Sequence, residues 1–308
     1  MTEVSAVLVK TLREKTGAGM MDCKKALHEV NGDLDSAIDW LRKKGLSAAA
    51  KKAGRVAAEG LVGIASSASN CACVVEINSE TDFVSRNDQF QKLVKDIASL
   101  ATTQEYNSQN LLQAQLSDGN AVSNSITNLI AVIGENISYR RHKRICVSEG
   151  VVSTYIHNSV VENLGKIGVL VALESKADKN KLQELGKKIA MHIAAASPHC
   201  LDISSVSPEA LEKEKVILTE QAKTSGRPDD VIQKMVEGRI RKYYEEVVLL
   251  EQVFVMDGKT KISQVIENAS KELGSTIVLK DFARFALGEG IEKQVSDFAA
   301  EVKAQAGQ

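Results

Sequence analysis

Side chains capable of covalent or metal chemistry occur in this sequence, but not at the spacings such chemistry needs. Cys71 and Cys73 fall on one face of a strand, yet no Cys-x-x-Cys and no His pair completes a zinc set. His192, His199 and Cys200 are close in sequence, but separations of seven and one do not bring ligands onto one helical face, so no metal is expected. Gly17 and Gly19 would fit a phosphate loop only with a strand before them and a Lys-Ser or Lys-Thr pair after them, and neither is present. No nucleophile, base and acid gather into an acyl-transfer arrangement. The expectation is therefore a protein that is not an enzyme and carries no cofactor. Recognition is the chemistry left, and Phe83 stands out for it. It follows an acid in Asn78-Ser79-Glu80-Thr81-Asp82-Phe83-Val84-Ser85-Arg86-Asn87, a polar connection of the kind that offers side chains to partners. On spacing alone an outward anchor and a lid folded onto the core stand level.

The elements around that connection are readable. Val74-Val75-Glu76-Ile77 is a β-branched strand end, and Asn87 and Asp88 can cap a helix whose inward face is Phe90, Leu93, Val94 and Ile97. Leu61–Ala65 and Cys71–Ile77 make a hairpin around Ser67–Asn70. A second hairpin and helix follow at 154–201, with the run Ile167–Leu173 and then Leu182, Leu185, Ile189 and Ile193, so the order hairpin then helix occurs twice. Between the copies, 102–120 reads as a polar loop and Val122, Ile126, Leu129, Ile130 and Ile133 as a helix ending at Gly134. The flanks of Arg140-Arg141-His142-Lys143-Arg144, Ile137 and Tyr139 before and Ile145 and Val147 after, alternate as a strand does, so a charged edge strand is expected.

Before this body, residues 4–44 read as three short helices: Val4, Val7, Leu8 and Leu12 on the first, Cys23, Ala26 and Leu27 on a second from about Asp22, and Leu34, Ala37, Ile38 and Leu41 on a third capped by Asp33. Met20 and Met21 fall in the turn between the first two, where flexible thioethers suit an adaptable contact. The Ala-rich, basic stretch 46–58 reads as a linker, with Lys51, Lys52 and Arg55 solvated. After the second copy, 208–244 reads as an antiparallel pair of helices turning at 225–229, followed by a helix around Val265 and Leu273 and a strand over 276–285. Ile291, Val295, Phe298 and Val302 make a last amphipathic stripe, either packed on the body or free as a terminal module.

Composition narrows the class. The 308 residues suffice for two or three packed units, and 44% hydrophobic content can fill their cores. Lys and Arg total 39 against 40 Asp and Glu, a formal net charge of −1, which argues against a dedicated nucleic-acid binder. No apolar run reaches the ~18 residues of a membrane span, and Met1-Thr2-Glu3 lacks the positive charge of a signal peptide, so a cytoplasmic protein with no membrane is expected. Five cysteines, an odd number, read as reduced thiols.

Several stretches together resemble the elongation factor Ts family: Thr81-Asp82-Phe83-Val84, Lys15 to Leu27, Ile133-Gly134-Glu135-Asn136-Ile137 with the double Arg after it, and Ala190-Met191-His192-Ile193-Ala194-Ala195. The resemblance runs over essentially the whole chain, although Ser79 stands where many members carry Cys and His142-Lys143-Arg144 is unusually basic. It implies an α+β protein: an N-terminal three-helix bundle like a ubiquitin-associated module (1–55), a duplicated hairpin-plus-helix core (56–149 and 150–286, with a helical arm at 208–247) and a C-terminal helical module (287–308). It implies guanine-nucleotide exchange on elongation factor Tu by protein contact. Thr81, Asp82, Phe83 and Val84 would disturb the partner's Mg²⁺ and phosphate site, and Met20, Met21, Ile133, Gly134 and His192 would touch it elsewhere. No DNA partner is implied, and a homodimer and a 2:2 complex both stay open. The competing expectation is an RNA-associated ribosome or tRNA helper using Lys51, Lys52, Arg55 and residues 140–144.

Overall fold

The computed structural model describes residues 4–224 and 228–292. Three helices open the chain: α1 (Ala6–Thr16), α2 (Met20–Glu29) and α3 (Leu34–Lys52). Ser5 and Asp33 cap α1 and α3 through their side-chain oxygens, and Gly17 ends α1 in the left-handed conformation that a side chain would disfavour. Val9, Leu12, Cys23, Ala26, Leu27 and Ala37 form the small core of this bundle. Two details differ from expectation. Met20 and Met21 are the first two residues of α2, with Gly19 at the cap, not part of a turn. The Ala-rich stretch continues α3 to Lys52, because Gly45 and Ala49 let that helix lie close against a helix of the body.

The body is one six-stranded antiparallel sheet built from β1 (Glu59–Ala68), β2 (Cys71–Ser79), β3 (Ile137–Cys146), β4 (Gly150–Val161), β5 (Leu164–Glu174) and β6 (Val278–Ala286). The order is β3-β2-β1-β5-β4, with β6 also on β5. β1 meets β5 only at Val62–Gly165 and Gly63–Leu164, so the sheet has two halves with a narrow seam.

Each half carries a helix on one face. In the first, α4 (Asp88–Thr103), α5 (Ser108–Gln113) and α6 (Val122–Ile133) cover Cys73, Val75 and Ile77; α5 lies in the stretch expected to be loop. In the second, α7 (Lys179–Ala196) covers Val169, Val171 and Leu173. The alternate residues of the same strands, Val62, Val74, Leu170 and Ala172, join Ile145 and Phe285 in a third cluster, so the helix-free faces pack on each other. A Cβ on Gly168 would lie 2.6 Å from Val62 Cγ1, a measure of how closely they approach. The sequence expectation of a hairpin and helix occurring twice is met in this element order, within a shared sheet.

The second half also carries α8 (Pro208–Lys223) and α9 (Asp229–Val247), which pair through Leu218, Ala222, Ile232 and Ile240, and α10 (Ile262–Leu273) before β6. Residues 225–227, at the expected arm turn, and most of the expected C-terminal helix lie outside the described residues. Cys71 and Cys146 are register partners across β2 and β3 and are joined as a disulfide, which corrects the expectation of five reduced thiols; their pairing is set by tertiary register and leaves no local sequence signal.

Candidate functional site

After Ser79 the chain leaves the sheet and makes a 3₁₀ turn over Asp82–Arg86. Three local hydrogen bonds shape it: Ser79 Oγ donates to the Thr81 carbonyl at 3.0 Å, Ser85 Oγ to the Asp82 carbonyl at 2.6 Å, and Gln91 Nε2 to the Ser85 carbonyl at 2.9 Å. Asn87 Oδ1 then accepts from the Phe90 amide at 3.1 Å and starts α4. With three residues per 3₁₀ turn, successive side chains point about 120° apart. Val84 goes inward and is only 4% exposed, packed in the first-half core, which leaves its neighbour facing out. Phe83 is 77% exposed. The lid alternative is thereby excluded, and of the expected quartet Val84 serves as the root of the turn, while Asp82 and Phe83 are presented to solvent.

The turn is tied to a second segment. Glu135, just past α6, accepts from the Thr81 amide at 2.9 Å and from the Thr81 hydroxyl at 2.6 Å. In the reverse direction, Glu80 accepts from the Asn136 amide at 2.5 Å and pairs with Arg55 at 3.5 Å. Asn136 Nδ2 donates to the Arg55 carbonyl at 2.8 Å. Gly134, at φ 86°, ends α6 in the left-handed conformation and is exposed; Ile133 beside it is half-buried. Sequence reasoning missed Glu80 and Glu135 as partners of the turn. Their bonds span more than fifty residues, a tertiary register that no local pattern encodes.

Met20 and Met21 are exposed by 55% and 75% at the start of α2. The preceding turn lies against the body: a Cβ on Gly17 would sit 3.0 Å from Gln89 Nε2, at the start of α4, and 4.0 Å from Val132 Cγ2, near the end of α6. The methionines, Asp82–Phe83 and Ile133–Gly134 thus lie on or next to elements that meet one another. His192 does not join them.

His192 lies in the other half, 0% exposed, on α7. Its Nε2 bonds Gln252 Oε1 at 2.9 Å, its Nδ1 accepts from the Val255 amide at 3.3 Å, and its ring lies beside Phe254. Burial pushes its pKa down, against an upward pull from Gln252, so the neutral ring is favoured. An imidazole enclosed in this way organises the 252–255 segment, where Val253 and Val255 are exposed, and offers no surface of its own.

The basic run of β3 is turned largely to internal use. Glu76, fully buried on β2, accepts from Arg140 Nη1 at 2.9 Å, Arg141 Nε at 2.6 Å and the Gly288 amide at 2.8 Å. Burial pushes its carboxyl up, but the Gly288 amide and the two guanidiniums together outweigh that and leave it below its ordinary value. Lys143 pairs with Asp281 at 3.1 Å and Arg144 with Glu105 at 3.6 Å, while Arg141 stacks over Phe285. With Arg55 on Glu80 as well, Arg55, Arg140, Arg141, Lys143 and Arg144 of the RNA reading are tied to carboxylates of the same chain, while Lys51 is exposed. Among the described residues no cluster of His, Cys, Asp and Glu could hold a metal, and no helix is long and apolar enough to cross a membrane.

Comparison with known proteins places the whole chain among relatives of one family. The family model described as elongation factor TS matches residues 80–289, beginning at the glutamate that anchors the turn. The chain is 61% identical to elongation factor Ts of Rhodospirillum centenum over 308 residues, covering all of both proteins. It is 61% identical to that of Paramagnetospirillum magneticum, covering all of this chain and 98% of the relative. Elongation factor Ts of Gluconobacter oxydans is 54% identical, with all of this chain and 99% of the relative covered.

Proposed function

The chain belongs to the elongation factor Ts family, the non-catalytic nucleotide exchange factors of elongation factor Tu, and we propose that its exposed Asp82–Phe83 turn is the element that drives GDP out. The supporting observation is the presentation of Phe83: a large aromatic, 77% exposed, on a turn whose neighbouring residue Val84 is rooted in the core. A side chain held in that way can enter a partner's surface with little loss of freedom. Inserted beside the Mg²⁺ and phosphate groups of the GTPase, it displaces the metal's shell, and Asp82 brings negative charge to the same place. No side chain among the described residues forms a salt bridge with Asp82, so its carboxylate is available. The cytoplasm is where this partner is met.

Magnitudes require more than one contact. A thousandfold acceleration of release corresponds to about 4 kcal/mol, whereas burying one Phe contributes roughly 1.5 to 3 kcal/mol. Met20, Met21, Ile133 and Gly134 supply further contact on the same side, and the N-terminal bundle acts as a docking module. Coupling is reciprocal: the factor weakens nucleotide binding by the same ratio by which nucleotide weakens the factor's hold.

The Mg²⁺ step has its own test. Release of a fluorescent GDP from elongation factor Tu is followed with the wild-type chain and with Phe83→Ala, in millimolar Mg²⁺ and in excess EDTA. The expected result is a large advantage for wild type in Mg²⁺ that shrinks severalfold once the metal is stripped. An advantage of equal size in both media would show that Phe83 acts on something other than the metal's shell.

A further inference from the structure

The turn bearing Phe83 and the turn after α6 are fastened by two carboxylates that face opposite ways. We infer that Glu135, with Glu80 as its counterpart, is a positioning residue for exchange, holding Asp82–Phe83 and Ile133–Gly134 as one preset contact surface. The inference rests on the reading of Phe83 given above. Glu135 directs both oxygens at Thr81, which immediately precedes Asp82, taking its amide at 2.9 Å and its hydroxyl at 2.6 Å. Glu80, immediately before Thr81, returns the contact to the amide of Asn136 at 2.5 Å. Each carboxylate therefore restrains the chain next to the other, and the loop is closed at both ends.

These are charge-assisted bonds, roughly twice as strong as neutral ones. Their location explains what they do. The bonds from Ser79 and Ser85 set the turn's internal shape, Gln91 ties it to α4 and Val84 roots it in the first-half core, but none of these hydrogen bonds reaches the segment after α6. The Glu135 and Glu80 contacts supply the hydrogen bonds that tie the turn to the segment between α6 and β3, and so register Phe83 against Gly134. Arg55 joins the same knot through Glu80 and through the Asn136 side chain, so the segment leaving α3 is referred to the same point. The Glu80 side chain is 20% exposed and its oxygens are taken by the Asn136 amide and the Arg55 guanidinium, so it acts through its neighbours.

The test measures release of fluorescent GDP by stopped flow over a range of factor concentrations, for wild type, Glu135→Ala, Glu135→Gln, Phe83→Ala and the double variant Phe83→Ala/Glu135→Ala. A melting curve and backbone hydrogen exchange over residues 80–86 accompany each. Glu135→Ala is expected to lower the limiting rate roughly tenfold, about 1.4 kcal/mol in the barrier, with faster hydrogen exchange in the turn. Glu135→Gln, which keeps the shape and one acceptor, should fall between. In the Phe83→Ala background, loss of Glu135 should cost clearly less than its tenfold in wild type, since the main side chain it positions is gone and only the weaker contacts of Asp82, Ile133 and Gly134 remain. A folded Glu135→Ala protein with the wild-type limiting rate overturns the inference, and so do losses that multiply in the double variant. If Glu135→Ala does not fold, Glu80→Gln/Glu135→Gln keeps the volume and carries the same expectation; a wild-type rate there also overturns it. Should Phe83→Ala itself be silent, the reading of the turn has failed first, an outcome distinct from a slow Phe83→Ala beside a normal Glu135→Ala.

Discussion

A carboxylate with no exposed surface, such as Glu76, is tolerated only where its partners exceed the cost of removing it from water. Here two guanidiniums and the Gly288 amide do so, and they join β2, β3 and the segment after β6 at one point. Glu76→Ala would leave both arginines facing an empty polar hole, so a loss of about 3 to 5 kcal/mol is expected, read as a lowered denaturant midpoint. The folded carboxyl lies below the ordinary unfolded value of about 4.3. Its contribution is therefore complete above that value and disappears as pH falls through the lower folded one, where the unfolded chain binds the extra proton. Midpoints measured from pH 6 down to pH 3 should converge for wild type and Glu76→Gln; a gap constant with pH would contradict the assignment. Residue-level legibility was uneven. Phe83 was visible as an odd aromatic in a polar connection, but its outward direction followed only from the inward rooting of Val84. The fate of Arg140 and Arg141 was hidden because Glu76 reads in sequence as one polar residue in an apolar strand.

Among the elements, α3 shows how a helix that looks unanchored by its own composition is held by its neighbour. Gly45 is buried against α6, and a Cβ there would lie 3.4 Å from that of Ala131, an ordinary contact. Gly45→Ala should then be tolerated and even stabilise by about 0.5 to 1 kcal/mol through helix propensity. Gly45→Val adds methyl groups into the same space and should cost roughly 1 to 3 kcal/mol by overpacking. The readout is tryptic cleavage after Lys51, Lys52 and Arg55, expected to be faster for Val and unchanged for Ala. Equal protection of both variants would mean that α3 is not held at this seam. The helix α4 was legible because its periodicity buries its own apolar face, and β2 because its β-branched run is bounded by turn residues. The extension of α3 and the existence of α5 were not, because small and polar residues gain their helical state from what they pack on.

Across the whole molecule, two hairpin-and-helix halves meet through helix-free faces, and they differ in what they expose. Among the described residues the first presents the exposed aromatic turn; at the corresponding place the second has Ser175-Lys176-Ala177-Asp178, with Asp178 spent on capping α7. The paired helices α8 and α9 leave and rejoin the second half side by side, where the His199 and Cys200 amides both donate to the Val247 carbonyl. A short linker in place of residues 208–247 should therefore leave the body folded. It is expected to raise the factor concentration needed for half-maximal release while keeping the limiting rate within about twofold, since no part of the Phe83 surface is lost. The repeated hairpin-then-helix order was legible; the packing of the halves was not, because a fully buried strand such as β2 shows no alternation to reveal its second face.

The central claim is that Phe83 acts outward, on the partner, and not inward, on the fold. Stopped-flow release of a fluorescent GDP from elongation factor Tu by Phe83→Ala, beside its melting curve, tests it most directly. An exposed side chain contributes little to stability, so melting within about 0.5 kcal/mol of wild type is expected. Truncating an anchor at an interface costs about 2 to 4 kcal/mol, so release should slow by roughly thirty to a thousandfold. A Phe83→Ala protein that melts normally and releases GDP at the wild-type rate would contradict the account.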